Sequence, residues 1–140
     1  MYLSTLRLWN FRKYCAMADG KPGLEIHFQE GVNVLIGEND CGKTAIVDAI
    51  RYVLRTQSGE FIQFEDKDFY QEPDGNRKDE FKIECVFDGI NEQDAGLFWE
   101  WLSWNDDKTK YLLKVWLYAK RKDNIIMPTF SAGIEGQAER

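Results

Sequence analysis

Eight residues constrain this chain more than any others. Gly37-Glu38-Asn39-Asp40-Cys41-Gly42-Lys43-Thr44 fits the spacing G-x-x-x-x-G-K-[ST]. Its flanks make the match specific. Val32-Asn33-Val34-Leu35-Ile36 leads in as a nearly all-apolar run, the pattern of a strand buried on both faces. From Lys43 the period turns helical: Ile46, Ile50, Val53 and Leu54 recur, with Ala45, Ala49 and Tyr52 beside them. Strand, glycine loop and helix in that order make a phosphate-binding turn. The glycines let successive N–H groups face one point, and the helix N-terminus adds roughly half a positive unit charge. Lys43 is expected between the β- and γ-phosphates, and the Thr44 hydroxyl on Mg²⁺. The expected ligand is a magnesium-bound nucleotide held by residues 37–44 and Ala45. The motif is silent on the base.

Before the loop, residues 3–9 read as a strand with Leu6 and Leu8 on one face and Thr5, Arg7 and Trp9 on the other. Leu24, Ile26 and Phe28 alternate with Glu25 and His27, so a second, half-buried strand is expected to pair antiparallel with the first. The alternation puts His27, the only histidine, on the exposed face. After the helix, a polar group at Thr56-Gln57-Ser58-Gly59 predicts its end, residues 60–70 mix aromatics with charges without a clear period, and residues 71–79 read as loop. Phe81, Ile83, Cys85 and Phe87 predict a strand over 80–88. Asn91 is a candidate cap for a helix through 104, with Leu97, Phe98, Trp101 and Leu102 as its buried stripe. A strand over 110–121 is the clearest late element, with Leu113, Val115, Leu117 and Ala119 inward. The tail, 122–140, shows no strong period. The expected organisation is a strand hairpin over 2–36, the loop at 37–44, a helix over 43–55, then strand, helix, strand and tail.

Composition narrows the class. With 14% aromatic and 44% hydrophobic residues the chain is no disordered polymer. Its apolar runs are too short to cross a membrane, and its N-terminus carries a charge before any apolar run of a secretory leader. Cys15, Cys41 and Cys85 are sparse and lack metal-type spacing, which suits reduced thiols and a cytoplasmic setting. Cys41, inside the loop, is read as a small tolerated residue rather than a redox switch. The net charge of −6 gives no overall basic footprint for nucleic acid. Nucleotide hydrolysis also needs an acid for Mg²⁺ and a group that positions water. The nearest strand-end acid, Asp88, follows a run that Glu84 interrupts, so it reads as a turn residue. The chain carries half of a nucleotide-hydrolysing site.

The residues Leu6-Arg7-Leu8-Trp9-Asn10-Phe11-Arg12, followed by a strand and then by Gly31 through Thr44, resemble the amino-terminal lobe of the RecF/SMC-like ABC ATPases. Within that group the order of later elements is most similar to the OLD family of ATP-dependent nucleases, which has anti-phage members. The resemblance implies an α/β fold: a P-loop NTPase amino-terminal lobe with an antiparallel strand subdomain, part of an incomplete ABC-type ATPase head. It implies ATP and Mg²⁺ as cofactors, with Arg12 at the nucleotide; from the residues alone, Arg12 reads equally as a solvated strand-end arginine. It implies a homodimer of heads that sandwiches ATP. It also implies DNA as substrate of the parent protein, reached through absent segments; from the residues alone, Lys120-Arg121-Lys122 is a charge run that could contact DNA phosphates but reads more simply as solvated. No catalytic residue is expected within the chain, and turnover by the chain alone is not expected.

Two other classes are weighed. A small P-loop metabolite kinase normally begins with the phosphate-loop strand and carries an arginine-rich lid, and neither is seen. A non-catalytic assembly module would use Trp99, Trp104, Trp116 and Tyr118 as an interface, against a plainer role for them in core and edge packing.

Overall fold

The alternating apolar pattern that begins at Leu6 and resumes at Leu24, Phe81 and Leu113 builds one antiparallel sheet. In the computed structural model, which describes residues 1–37, 42–55 and 63–133, the strands are β1 (Tyr2–Trp9), β2 (Leu24–His27), β3 (Glu80–Asp88), β4 (Leu102–Trp104), β5 (Tyr111–Lys122) and β6 (Ile125–Ala132). Their order is β2-β1-β3-β5, with β4 on the start of β5 and β6 on the remainder. The helices are α1 (Lys43–Arg55) and α2 (Glu92–Phe98). No helix among the described residues is long and apolar enough to cross a membrane.

One sheet face carries the core. Leu6 and Leu8 of β1, Ile83 and Cys85 of β3, and Leu117 and Ala119 of β5 have no exposure to water. Helix α1 packs against β3 and β5, burying Ala45, Ile46, Ala49 and Val53. Phe81 links that packing to an aromatic cluster, with ring centroids 5.1 Å from Phe11 and 5.0 Å from Phe69. On the opposite face Glu84 is buried, accepting from Arg7 and from the indole N–H of Trp116. Burying a carboxylate is costly unless its oxygens are partnered by charge and N–H. Trp116 is therefore a packed residue, as the plainer reading of the aromatics expects.

Four expectations need correction. First, Val32–Ile36 belongs to no described strand, and Val32, Val34 and Ile36 are 91%, 74% and 90% exposed. The pattern is right for a doubly buried strand, but the antiparallel sheet offers it no neighbour. Second, the helix expected through 104 stops at Phe98. Trp99–Trp101 form a 3₁₀ turn, and Leu102–Trp104 leave the helix to pair with Tyr111–Leu113 of β5. Asn91 does cap α2, accepting from the Asp94 N–H at 2.8 Å, but Leu97 of the expected stripe points to solvent. Third, Leu54 at the end of the α1 stripe is exposed. Fourth, the supposed tail folds back as β6 through Asp123 and Asn124, whose φ values of 53° and 65° make the tight left-handed turn of a hairpin.

The polar group 56–59, expected to end α1, lies outside the described residues, while other elements lie where the pattern put them. The β1–β2 hairpin pairs Leu6 with Ile26. His27 lies on the surface with Glu25 at 2.8 Å. β3 and β5 fall within a residue of their expected bounds.

Candidate functional site

The site is built on the start of α1. Gly42 takes φ of +91°, a conformation suited to glycine, and its carbonyl accepts the first helical bond, from the Ile46 N–H at 3.2 Å. The first turn of α1 contains no acidic residue, so nothing there opposes the positive end of the helix dipole. The Lys43 ammonium donates to the Gly37 carbonyl. That contact closes the two ends of the eight-residue motif on each other. Thr44 is exposed in the first turn, while the Ala45 side chain sits in the core, leaving only its backbone for a ligand. Glu38, Asn39, Asp40 and Cys41 lie outside the described residues.

Arg12 is held by side chains of α1 and of the 3₁₀ turn Asp66–Asp68. It is not a solvated strand-end arginine. It sits with φ of +52° in the turn after β1, and its three guanidinium nitrogens are all engaged. Nη1 donates to Asp48 at 2.7 Å, Nε to Asp68 at 3.1 Å and Nη2 to the Tyr52 hydroxyl at 3.4 Å. Burial alone would lower its pKa; Asp48 and Asp68 outweigh burial and raise it. The Tyr52 phenol is pushed up, mainly by burial and then by the Asp68 charge.

Asp68 is the residue that reading the sequence missed. It has no exposure to water, and its second oxygen accepts the Glu65 N–H at 3.0 Å. The cluster ties three segments together: the turn after β1, helix α1 through Asp48 and Tyr52, and the 3₁₀ turn Asp66–Asp68. Asp48 and Tyr52 stand one helical turn apart on α1, and that i, i+4 pairing was the available signal.

The turn after β1 delivers two other residues to the loop. The Tyr14 hydroxyl donates to the Gly42 carbonyl at 3.5 Å. A Cβ on Gly42 would stand 2.2 Å from that hydroxyl and 3.0 Å from the Lys13 Cδ.

Two further candidates resolve into ordinary structural roles. Asp88 ends β3 in a salt bridge to Lys110 at 2.7 Å and accepts the Gly89 N–H. Burial opposes its ionisation, and these two donors win, holding its pKa below the usual value. The Lys120–Lys122 run is not one basic patch. Strand geometry turns Arg121 to the other face, where it reaches Asp66 and Asp79 at 3.4 Å each, and Lys120 faces Glu80 at 3.5 Å. Among the described residues no group of three or more His, Cys, Asp or Glu side chains is placed to hold a metal.

Several known proteins are similar to this chain in sequence. The chromosome partition protein Smc of Chlorobaculum tepidum is 38% identical over 63 residues, 45% of this chain and 5% of that protein. The DNA replication and repair protein RecF of Pediococcus pentosaceus is 47% identical over 58 residues, covering 41% of this chain and 14% of RecF. RecF of Cytophaga hutchinsonii is 33% identical over 99 residues, covering 64% and 24%. The chain thus spans at most 24% of these relatives. A solved structure from work on ATP-driven dimerization and DNA-stimulated activation of SMC ATPases matches at TM-score 0.62 and 17% identity, over 94% of this chain and 69% of that one. It shares the fold, an α/β lobe with an antiparallel sheet. The AAA ATPase domain family matches residues 1–132; the chain belongs to that family, in its RecF/SMC-like group.

Proposed function

We propose that this chain binds ATP with Mg²⁺ through Gly37–Ala45, as the nucleotide-binding part of a DNA-processing ATPase. The observation that carries the reading is the start of α1: an acid-free helix N-terminus, led in by Gly42 at positive φ and bearing Lys43 and Thr44. These residues fit the group. The backbone N–H groups and Lys43 would hold the phosphates, and Thr44 would ligate Mg²⁺, which supplies charge neutralisation at the phosphate oxygens. Lys43 now donates to a carbonyl of its own loop, a contact that a phosphate can replace.

In the finer form of this proposal the parent is an OLD-like ATP-dependent nuclease of DNA processing or anti-phage defence. Its heads pair across ATP, and its Mg²⁺-binding acids and DNA contacts lie on polypeptide outside residues 1–140. The exposed run Val32–Ile36 supports a covering segment in the parent, because an apolar run of that pattern suits burial on both faces. The free thiols Cys15 and Cys85 fit a reducing, cytoplasmic setting.

Thermal melting with MgATP tests the reading. A ligand at a hundred times its Kd stabilises a protein by about 2.7 kcal/mol. The wild-type melting temperature should rise with millimolar MgATP and that of Lys43→Ala should not. Equal curves for the two proteins sink the nucleotide reading. Steady hydrolysis by the 140-residue chain alone would sink the placement of the acids elsewhere.

A further inference from the structure

The sheet edge opposite β2 carries an aromatic patch that the nucleotide site does not use. Trp104 of β4 and Tyr111 of β5 are cross-strand partners with ring centroids 4.3 Å apart. Trp99 meets the same Tyr111 ring edge-on at 6.2 Å. Leu97, Trp99 and Trp104 are 73%, 67% and 52% exposed. We propose that this patch is a docking surface for an arginine-rich segment of a partner protein, one that also carries an apolar anchor. The proposal does not depend on the nucleotide reading.

The frame beneath the patch is anchored. Phe98, Trp101 and Leu102 pack against the core. The turn from β4 to β5 is closed by Asn105. Its N–H donates to the Lys110 carbonyl at 3.1 Å, and its carbonyl accepts the Lys108 N–H at 3.0 Å. The exposed rings are therefore held in one arrangement before any partner arrives. Contiguous exposed apolar surface with a polar rim marks an interaction site. Trp and Tyr are enriched among the residues that carry binding energy, because each buries a large area with few rotatable bonds.

Charge selects the partner. Residues 89–107 hold Glu92, Asp94, Glu100, Asp106 and Asp107 and contain no lysine or arginine. All of these acids but Asp94 are exposed, and Asp94 faces the amino-terminal ammonium at 3.9 Å. Cations return only at Lys108, in the tip of the turn, and at Lys110, which Asp88 holds at 2.7 Å. Stacking of nucleic-acid bases on aromatic rings needs a basic groove for the phosphates, and this rim is acidic. The same rim attracts arginine. A guanidinium pairs with carboxylates and also lies flat on an indole face, so one side-chain type answers both features of the patch. Leu97 offers the apolar contact beside them.

The experiment titrates the full 140-residue chain into a fluorescently labelled peptide that alternates arginine with leucine, read by anisotropy at about 0.15 M salt. A labelled peptide alternating glutamate with leucine and a labelled oligothymidylate are the other probes. The proteins are wild type, Trp99→Ala, the rim variant Glu100→Gln with Asp106→Asn, and the distal variant Asp19→Asn with Glu30→Gln. Asp19 and Glu30 flank β2, at the far edge of the sheet. The arginine peptide should bind wild type, and the other two probes should not. Trp99→Ala should melt as wild type and weaken binding by about tenfold or more. The rim variant should bind more weakly with a flatter salt dependence, and the distal variant should match wild type. Equal binding by wild type and Trp99→Ala overturns the proposal. So does a loss in the distal variant as large as that in the rim variant, because the attraction is then diffuse. Tighter binding of the oligothymidylate than of the arginine peptide makes the patch a nucleic-acid surface instead. Dimers that Trp99→Ala dissolves put a second copy there, and failure of the arginine peptide to bind wild type removes the basic partner; each overturns the proposal.

Discussion

The Arg12 guanidinium and the Asp68 carboxylate meet at 3.1 Å, and the carboxylate has no exposure to water. Removing one partner of a buried pair leaves an uncompensated charge, at a cost of about 3 kcal/mol or more. Arg12→Ala should therefore destabilise the chain by about 3 kcal/mol in denaturant unfolding. Asp48 is partly solvated, with 21% of its side chain exposed, so Asp48→Asn should cost much less. If Asp68→Asn restores much of the stability lost in Arg12→Ala, the cost lies in the stranded charge; if it does not, the loss comes from the turn instead.

Gly42 stands at the crossing of backbone strain and a side-chain wall. A residue with a Cβ at its φ of +91° is strained by about 1–2 kcal/mol, and that Cβ also meets the Tyr14 hydroxyl at 2.2 Å. Gly42→Ala should lower the melting temperature and remove the MgATP-dependent shift. Adding Tyr14→Ala should recover part of the lost stability, because the far end of a side chain can be trimmed away while φ cannot. A double variant no more stable than Gly42→Ala would place the whole cost in the backbone.

What was legible in the sequence follows the range of the interactions that made it. Strand β3 was readable because Phe81, Ile83 and Cys85 alternate within the segment itself, and α1 because its stripe lies within thirteen residues. Strand β4 was not, because Leu102–Trp104 are strand only through pairing with Tyr111–Leu113. Strand β6 hid behind Pro128, tolerated on an edge, and behind a hairpin turn of Asp123 and Asn124 that lacks glycine. At the site, the phosphate loop is a local spacing and announced itself. The Arg12 pair spans 56 residues, and no local pattern marks Asp68 as its partner. The placement of Lys13 and Tyr14 beside Gly42 is likewise tertiary.

Cys85 gives the chain an alkaline sensitivity. Burial, with a smaller contribution from the Glu84 charge, pushes its thiol from 9.0 up to about 12. In the unfolded chain the thiol ionises near 9, while in the folded chain it stays protonated. Its contribution is thus complete below pH 9 and is lost progressively as pH rises from 9 towards 12, at up to about 1.4 kcal/mol per pH unit for one proton. Denaturant unfolding of wild type and Cys85→Ala at several pH values between 8 and 11 measures this. The variant is less stable at pH 8 but should show the shallower alkaline decline, and parallel declines would count against the assignment. Cys15, exposed in the folded chain, should react with iodoacetamide under native conditions, and Cys85 should not.

The last prediction concerns the run that leads into the phosphate loop. Val32, Val34 and Ile36 expose three large apolar side chains within five residues, and Val47 and Leu54 add exposed apolar surface on α1. Because these side chains touch water already, replacing them removes little burial: Val34→Lys and Ile36→Lys should change unfolding free energy by no more than about 0.5 kcal/mol. Leu117, with no exposure, sets the contrast, and Leu117→Ala should cost about 3 kcal/mol. Exposed apolar runs of strand-like composition favour association, so the wild-type chain should sediment with a concentration-dependent weight and the double lysine variant as a monomer. Loss of several kcal/mol in Ile36→Lys would mean that the run is packed in solution, and would remove the support it lends to a covering lobe.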